Sequence, residues 1–141
     1  MGRKKKELDI DKIKEEIKTN AKGYYVRNDI LLPEIIKSRE LGKPTEDLIT
    51  MFTAIARKLS NIYPYKYPED KEDCIQRAVL DCILYWDRFD PTKSENPNPF
   101  AYFTSVCGMG LRKGWNELGY NKKKGIPFSK RVYLTNNIFS I

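Results

Sequence analysis

The stretch Asp73-Cys74-Ile75-Gln76-Arg77-Ala78-Val79-Leu80-Asp81-Cys82-Ile83-Leu84-Tyr85-Trp86-Asp87-Arg88-Phe89-Asp90-Pro91 leads, after a short connection, to Asn98-Pro99-Phe100-Ala101-Tyr102-Phe103-Thr104. In the first part Ile75, Ala78, Val79, Cys82, Ile83 and Trp86 recur at i, i+3, i+4, i+7, i+8 and i+11, the spacing of one helix face. The opposite face carries Glu72, Asp73, Gln76, Arg77 and Asp81, with Tyr85 between Asp81 and Arg88. Asp90-Pro91 to Asn96-Pro97 predicts a loop, and Asn98-Pro99 an N-cap and first-turn proline for another helix. That helix contains Gly108, Gly110 and Gly114, each costing up to about 1 kcal/mol relative to alanine, so close packing against its neighbours is expected to offset them, the alternative being close approach of a DNA backbone.

Working outward, Thr45 is the expected N-cap of a helix with the buried stripe Leu48, Phe52, Ile55, Leu59 and Ile62. Before it, Ile30, Leu31, Ile35 and Ile36 predict a helix over Asn28 to Glu40, stopped by Leu41-Gly42-Lys43-Pro44. Asn61 to Pro68 holds Tyr63, Tyr65 and Tyr67 among prolines and reads as a connection whose rings pack over helix ends. The first twenty residues are nearly all polar, with Leu8, Ile10, Ile13 and Ile17 as the aliphatics, and predict a tail that can form a short helix but stays mobile until it meets a partner. No strand-like alternation or internal repeat is found. The expected organisation is an all-α fold: a basic, polar tail over 1–22, one compact helical domain over 23–120, and a basic linker with a hydrophobic end over 121–141.

Length and composition agree. A chain of 141 residues suits one domain with a modest core. Its 26 Lys and Arg against 19 Asp and Glu give +7, a balance common among nucleic-acid binders and equally compatible with other basic proteins. There is no histidine, and three cysteines fall in no CxxC pair, so no zinc site or other metal or cofactor is expected. Cys74 and Cys82 stand about 12 Å apart along one helix, beyond disulfide reach, and read as buried reduced thiols. No apolar run approaches the ~20 residues needed to span a bilayer, and no signal-peptide core follows Met1-Gly2-Arg3-Lys4-Lys5-Lys6, so a soluble, intracellular protein is expected. The carboxylates Glu69, Asp70, Glu72 and Asp73 gather at a helix start, where helix-dipole and capping roles account for them, and no paired catalytic partner is visible. The expectation is a protein that is not an enzyme.

Four groups are candidate sites. The charged face Glu72, Asp73, Gln76, Arg77 and Asp81 is either a solvated surface or a protein-docking face. Phe100, Tyr102 and Phe103 are either core or a platform for unstacked bases, each stack being worth ~1–3 kcal/mol. Arg112, Lys113, Trp115 and Asn116, with the run Lys122-Lys123-Lys124, form a basic helix end and tail that either bind nucleic acid or serve only solubility. Ile138, Phe139 and Ile141 are large apolar residues that call for burial, on the domain itself or on a partner.

Taken together, the glutamine-containing helix ending in Arg88-Phe89-Asp90-Pro91 and the Phe-x-x-aromatic start at Phe100 and Phe103 resemble region 2 of bacterial sigma factors. Two tryptophans that housekeeping members place just downstream correspond to Val106 and Cys107, and Arg77 stands where they carry Glu. A narrower resemblance is to the late-transcription sigma factors of T-even-like bacteriophages. It rests on Ala101-Tyr102-Phe103-Thr104 with Val106-Cys107, on Tyr25-Val26-x-Asn28-x-x-Leu31-Leu32-x-x-Ile35-Ile36, and covers about residues 24 to 118. The resemblance implies docking of the Gln76 face on the β′ clamp helices of core RNA polymerase. It also implies recognition of an AT-rich minus-ten-like element in promoter DNA, with Arg112 and Lys113 on phosphates and Asn116 or Trp115 at base edges, and capture of the melted strand by Phe100 and Phe103. For the tail it implies a DNA sliding clamp, with the polymerase flap as a second surface, and the setting would be the cytoplasm of an infected bacterial host. The competing expectation is a basic helical DNA-binding module that does not contact polymerase.

Overall fold

The computed structural model describes residues 10–19 and 26–120. Among them the chain is all-α, with helices α1 (Ile10–Thr19), α2 (Asn28–Leu41), α3 (Glu46–Ser60), α4 (Pro68–Tyr85) and α5 (Pro99–Glu117), and short 3₁₀ turns at Trp86–Arg88 and Pro91–Lys93 between the last two.

Helix ends follow local chemistry. Gly42, at φ +79°, closes α2 by sending its own N–H to Arg39 and that of Lys43 to the Ser38 carbonyl. Thr45 Oγ1 accepts from Leu48 N at 3.1 Å and starts α3. Pro68 and Pro99 occupy the first helical positions of α4 and α5, where no N–H is needed. The stripe expected along α3 holds through Leu48, Phe52 and Ile55, with Leu59 half-buried, but Ile62 is 74% exposed. The helix ends at Ser60, so the helical period no longer aims residue 62 inward.

The core is a hairpin of α4 and α5 laid against α3 and closed by α2. Phe52, Ile75, Ala78, Phe103 and Leu111 are fully buried at its centre. Glycines set how closely the hairpin legs approach. A Cβ on Gly110 would lie 2.7 Å from Ala78 Cα, and one on Gly114 would lie 3.3 Å from Cys74 Cα. Gly108 faces open space and has no such role. Ala78 forms the floor of this contact, whereas Val79, expected in the buried stripe, is only half-buried at its edge.

Part of the segment expected to be a mobile tail is packed against the domain. Ile10–Thr19 is a helix that buries Ile17 and packs on α3. Lys14 fastens it, with Nζ 3.1 Å from Glu34 Oε2 and 2.9 Å from Asp47 Oδ2. Glu34 is itself buried and accepts from Thr45 Oγ1 at 2.6 Å, so one carboxylate joins α1, α2 and the α3 cap. Burial works against the Lys14 ammonium, but its bonds to Asp47 and Glu34 outweigh that and raise its pKa above the ordinary value.

All three cysteines are buried and free, with Cys82 Sγ 3.4 Å from Cys107 Sγ. Burial, reinforced by the Asp70 and Asp73 carboxylates, pushes the Cys74 thiol up to about 11. The hydrogen bond to Cys107 and then burial raise Cys82. With a pKa near 11 only about a thousandth of Cys74 is thiolate at pH 8. Native protein is therefore expected to leave all three thiols unlabelled by a thiol-specific chromogenic reagent at pH 8, and denatured protein to release all three. Labelling of Cys74 at the rate of a free thiol would contradict this packing.

Candidate functional site

The outward face of α4 is a row at i, i+3, i+4, i+7 and i+11, made of Asp73, Gln76, Arg77, Leu80 and Leu84. Leu80 is 51% and Leu84 59% exposed, an apolar pair one turn apart on the solvent side of a helix whose other side is core. Neither was among the expected docking residues. Their signal in sequence was a pair of leucines four apart with no place in the buried stripe.

The five residues expected to form one docking face point in different directions. Asp73 and Gln76 are exposed on the outward row. Glu72 turns toward α3, where Arg57 Nη1 reaches its Oε1 at 2.6 Å. Arg77 leans to the end of α5 and pairs with Glu117 at 2.8 Å. Asp81 is half-buried in the hairpin seam, its Oδ2 2.9 Å from where a Gly110 Cβ would stand. Thus Glu72 and Arg77 pair with residues of α3 and α5, Asp81 is turned into the hairpin seam, and the row left facing outward is Asp73, Gln76, Leu80 and Leu84. At its far end Arg88 lies over the Tyr85 ring, 4.3 Å from the centroid, a cation–π contact.

At the start of α5 every early donor is satisfied within the chain. Asn98 Oδ1 accepts from Ala101 N at 3.1 Å, and Asn28 Oδ1 accepts from Phe100 N at 2.9 Å. Asn28 Nδ2 then donates to Asn98 Oδ1 at 2.9 Å and locks the two caps together. Around this end lie Phe100 and Tyr102, both half-buried, with Phe89 from the preceding loop 5.5 Å from the Tyr102 ring. Phe103 is the correction here. It has no exposed surface and sits 4.6 Å from Phe52 and 5.0 Å edge-on to Tyr102, so it is core and offers no face to a base. The rings that keep some exposed surface at this end are Tyr102 and Phe100, with Phe89 beside Tyr102.

Further along α5, Arg112 and Lys113 are exposed and Asn116 half-buried. Trp115 does not reach outward as expected. Its Nε1–H donates to the Pro64 carbonyl at 3.1 Å, and its ring stacks on Tyr120 at 5.4 Å and tilts against Tyr63 at 5.6 Å. This aromatic cap confirms two of the tyrosines of the connection, Tyr63 and Tyr65, as covers over helix ends, while Tyr67 is 49% exposed. Lys122, Lys123, Lys124, Ile138, Phe139 and Ile141 lie outside the described residues.

An open, mostly apolar cleft of about 450 Å³ lies between α2 and the loop ahead of α5, lined by Leu32, Ile36, Pro91 and Pro97 with Arg39 and Glu40 at its rim. Arg39 Nη1 donates to the Asp87 and Phe89 carbonyls at 3.2 and 3.1 Å and so fixes the loop. Hydrogen bonds from Thr92 hold the Asp90 carboxyl below its ordinary pKa. Among the described residues there is no cluster of metal-ligating side chains, and no helix is long and apolar enough to cross a membrane. Comparison with protein-family models, with curated proteins and with solved structures gave no match.

Proposed function

We propose that this chain acts as a late-transcription sigma factor of the phage type: α4 binds host core RNA polymerase, and α5 recognises an AT-rich minus-ten-like element and keeps its melted strand open. The observation that carries this reading is the outward row of α4. Leucines one turn apart, flanked by Asp73 and Gln76, suit a helical partner, which takes such residues as knobs between its own side chains and meets the polar flank with cations. The clamp helices of β′ would be such a partner. The rings at the start of α5 and the exposed Arg112 and Lys113 lie on the adjacent helix, so strand capture and phosphate contact would share one rigid support. The activity is binding, with no bond made or broken by the chain, and its place would be the cytoplasm of an infected bacterium, where polymerase and promoter are found.

The deciding experiment is abortive transcription by core polymerase on supercoiled phage DNA with and without the chain, alongside co-elution of chain and polymerase. New start sites below AT-rich elements support the proposal. Duplex DNA binding with no co-elution would replace it by a basic helical module that works without polymerase.

Within this reading Tyr102 and Phe103 separate cleanly. Tyr102→Ala is expected to slow open-complex formation by roughly tenfold to a hundredfold, as one lost base stack of ~1–3 kcal/mol requires, and to recover on a pre-melted template. Phe103→Ala should instead lower the unfolding free energy by about 3–5 kcal/mol, since it empties a buried ring site. Equal deficits of Tyr102→Ala on duplex and pre-melted templates would remove Tyr102 from strand capture.

A further inference from the structure

The seat of α1 on α3 is fastened at one end and open at the other. Lys14 is clasped between Glu34 and Asp47, and Ile17 is buried, but past Ile17 the two helices leave a cavity of about 310 Å³ lined by Ile17, Lys18, Thr50, Thr53, Ala54 and Arg57. Its four α3 residues recur at i, i+3, i+4 and i+7, so one helix face is turned to this space. A face made only to receive another helix is aliphatic, whereas this one carries two hydroxyls, a methyl group and a guanidinium. Lys18 and Arg57 bring a cation from each wall, and no carboxylate among the described residues lines the cavity.

We infer that this cavity is a binding site for the phosphate monoester of a sugar, with the phosphate between Lys18 and Arg57 and the sugar hydroxyls against Thr50 and Thr53. Two like charges that share one space repel until an anion stands between them, and a phosphate monoester, which carries close to two negative charges at neutral pH, neutralises both. Glu72 takes part of the Arg57 fork, with Oε1 at 2.6 Å and Oε2 at 3.4 Å, and so fixes the guanidinium, whose other N–H groups can meet a second acceptor. The threonines select the rest of the ligand. Thr50 Oγ1 donates to the Glu46 carbonyl and Thr53 Oγ1 to the Ile49 carbonyl, both at 2.9 Å, so each oxygen meets the cavity as an acceptor. That suits the hydroxyl groups of a sugar and repels further phosphate oxygens. Ile17 and Ala54 supply an apolar floor for its carbon skeleton. The volume lies at the small end for ligand sites, matching a sugar phosphate and leaving a bare ion surrounded by water. A phosphate held here would join α1 to α3 at the end that the Lys14 clasp does not reach. The inference is independent of what α4 or α5 meets in the cell.

The test titrates the isotopically labelled full chain, at constant ionic strength, with ribose 5-phosphate, adenosine monophosphate, inorganic phosphate and ribose, and follows the backbone amides by NMR. Ribose 5-phosphate is expected to shift the amides of Lys18, Thr50, Thr53 and Arg57 saturably at millimolar concentration or below, with inorganic phosphate at least about tenfold weaker and ribose without effect. Lys18→Glu changes an exposed side chain and should weaken both phosphates by at least about tenfold, since a charge-assisted bond gives way to repulsion. Thr53→Val should weaken ribose 5-phosphate and leave inorganic phosphate unchanged, and circular dichroism checks that each variant keeps its helices. Adenosine monophosphate separates the two sources of the ligand: affinity equal to or above that of ribose 5-phosphate assigns the site to nucleotides, and weaker binding assigns it to sugar phosphates. Shifts that never saturate, that fall equally on Arg112 and Lys113, or that persist unchanged in Lys18→Glu would overturn the inference.

Discussion

Replacing Leu80 and Leu84 together by glutamate is expected to weaken binding to core RNA polymerase by at least about a hundredfold, with helical content and unfolding midpoint near wild type. The size follows from the role of central apolar residues in an interface, where each anchor contributes on the order of 2 kcal/mol and the surrounding polar groups far less. A carboxylate at each position adds the cost of desolvating a charge against an apolar partner surface. Because both side chains are more than half exposed in the free chain, the same substitutions remove little from its core. The measurement is a titration of labelled chain with core polymerase, paired with a thermal melt. Single substitutions at Glu72 or Arg77 should act differently, releasing Arg57 or Glu117 and changing stability by less than about 1 kcal/mol while leaving most of the affinity in place. Wild-type affinity of the double leucine variant would show that the outward row of α4 does not dock on polymerase.

Gly110→Leu is expected to separate the α4–α5 hairpin and lower the unfolding free energy by about 3 kcal/mol or more, a large share of what a domain this size possesses. Even an added Cβ at this position would stand 2.7 Å from the Ala78 backbone and 2.9 Å from Asp81 Oδ2, so α4 must move before any larger side chain fits. Gly108→Ala is the matching control. Its Cβ would have open space and its backbone is ordinary helix, so the substitution should stabilise by up to about 1 kcal/mol through helix propensity alone. Urea unfolding of the two variants decides the matter. Opposite signs confirm that the glycines of α5 differ in purpose, and a tolerated Gly110→Leu would mean that the hairpin legs are not in contact there.

Much of this architecture was legible because it rests on local signals. The spacing from Ile75 to Trp86, the caps at Thr45 and Asn98-Pro99, and the stop at Gly42 each depend on residues within one or two turns. What escaped depends on contacts across the chain. Ile13 and Ile17 looked like strays in a polar tail, and only the meeting of Lys14 with Glu34 and Asp47 makes their helix part of the domain. Spacing placed Glu72, Arg77 and Asp81 on the polar side of α4, yet Glu72 and Arg77 are turned toward Arg57 and Glu117, and Asp81 lies half-buried in the seam beside Gly110, partners that no window around α4 contains. The aromatic start of α5 was legible as a group, but which ring is core was not, because Phe52 and Phe89 decide it from other elements. Leu80 and Leu84 have no place in the stripe from Ile75 to Trp86, and only the burial of its other face turns this pair toward solvent.

The Asn28 side chain that completes the cap of α5 belongs to a residue 70 positions before Asn98 and 72 before Phe100. Closing a loop of that length costs roughly 1.4 kcal/mol more in chain entropy than closing the short connection between α4 and α5. In kinetic terms the hairpin is the cheaper nucleus, and the amide lock at its loop end forms once α2 has been brought home. The aromatic end of α5 is then the part of the domain whose shape is decided late. A nascent chain emerging from the ribosome already holds Asn28 when Phe100 appears, so synthesis in the natural direction delivers the missing half of the cap before the helix that needs it.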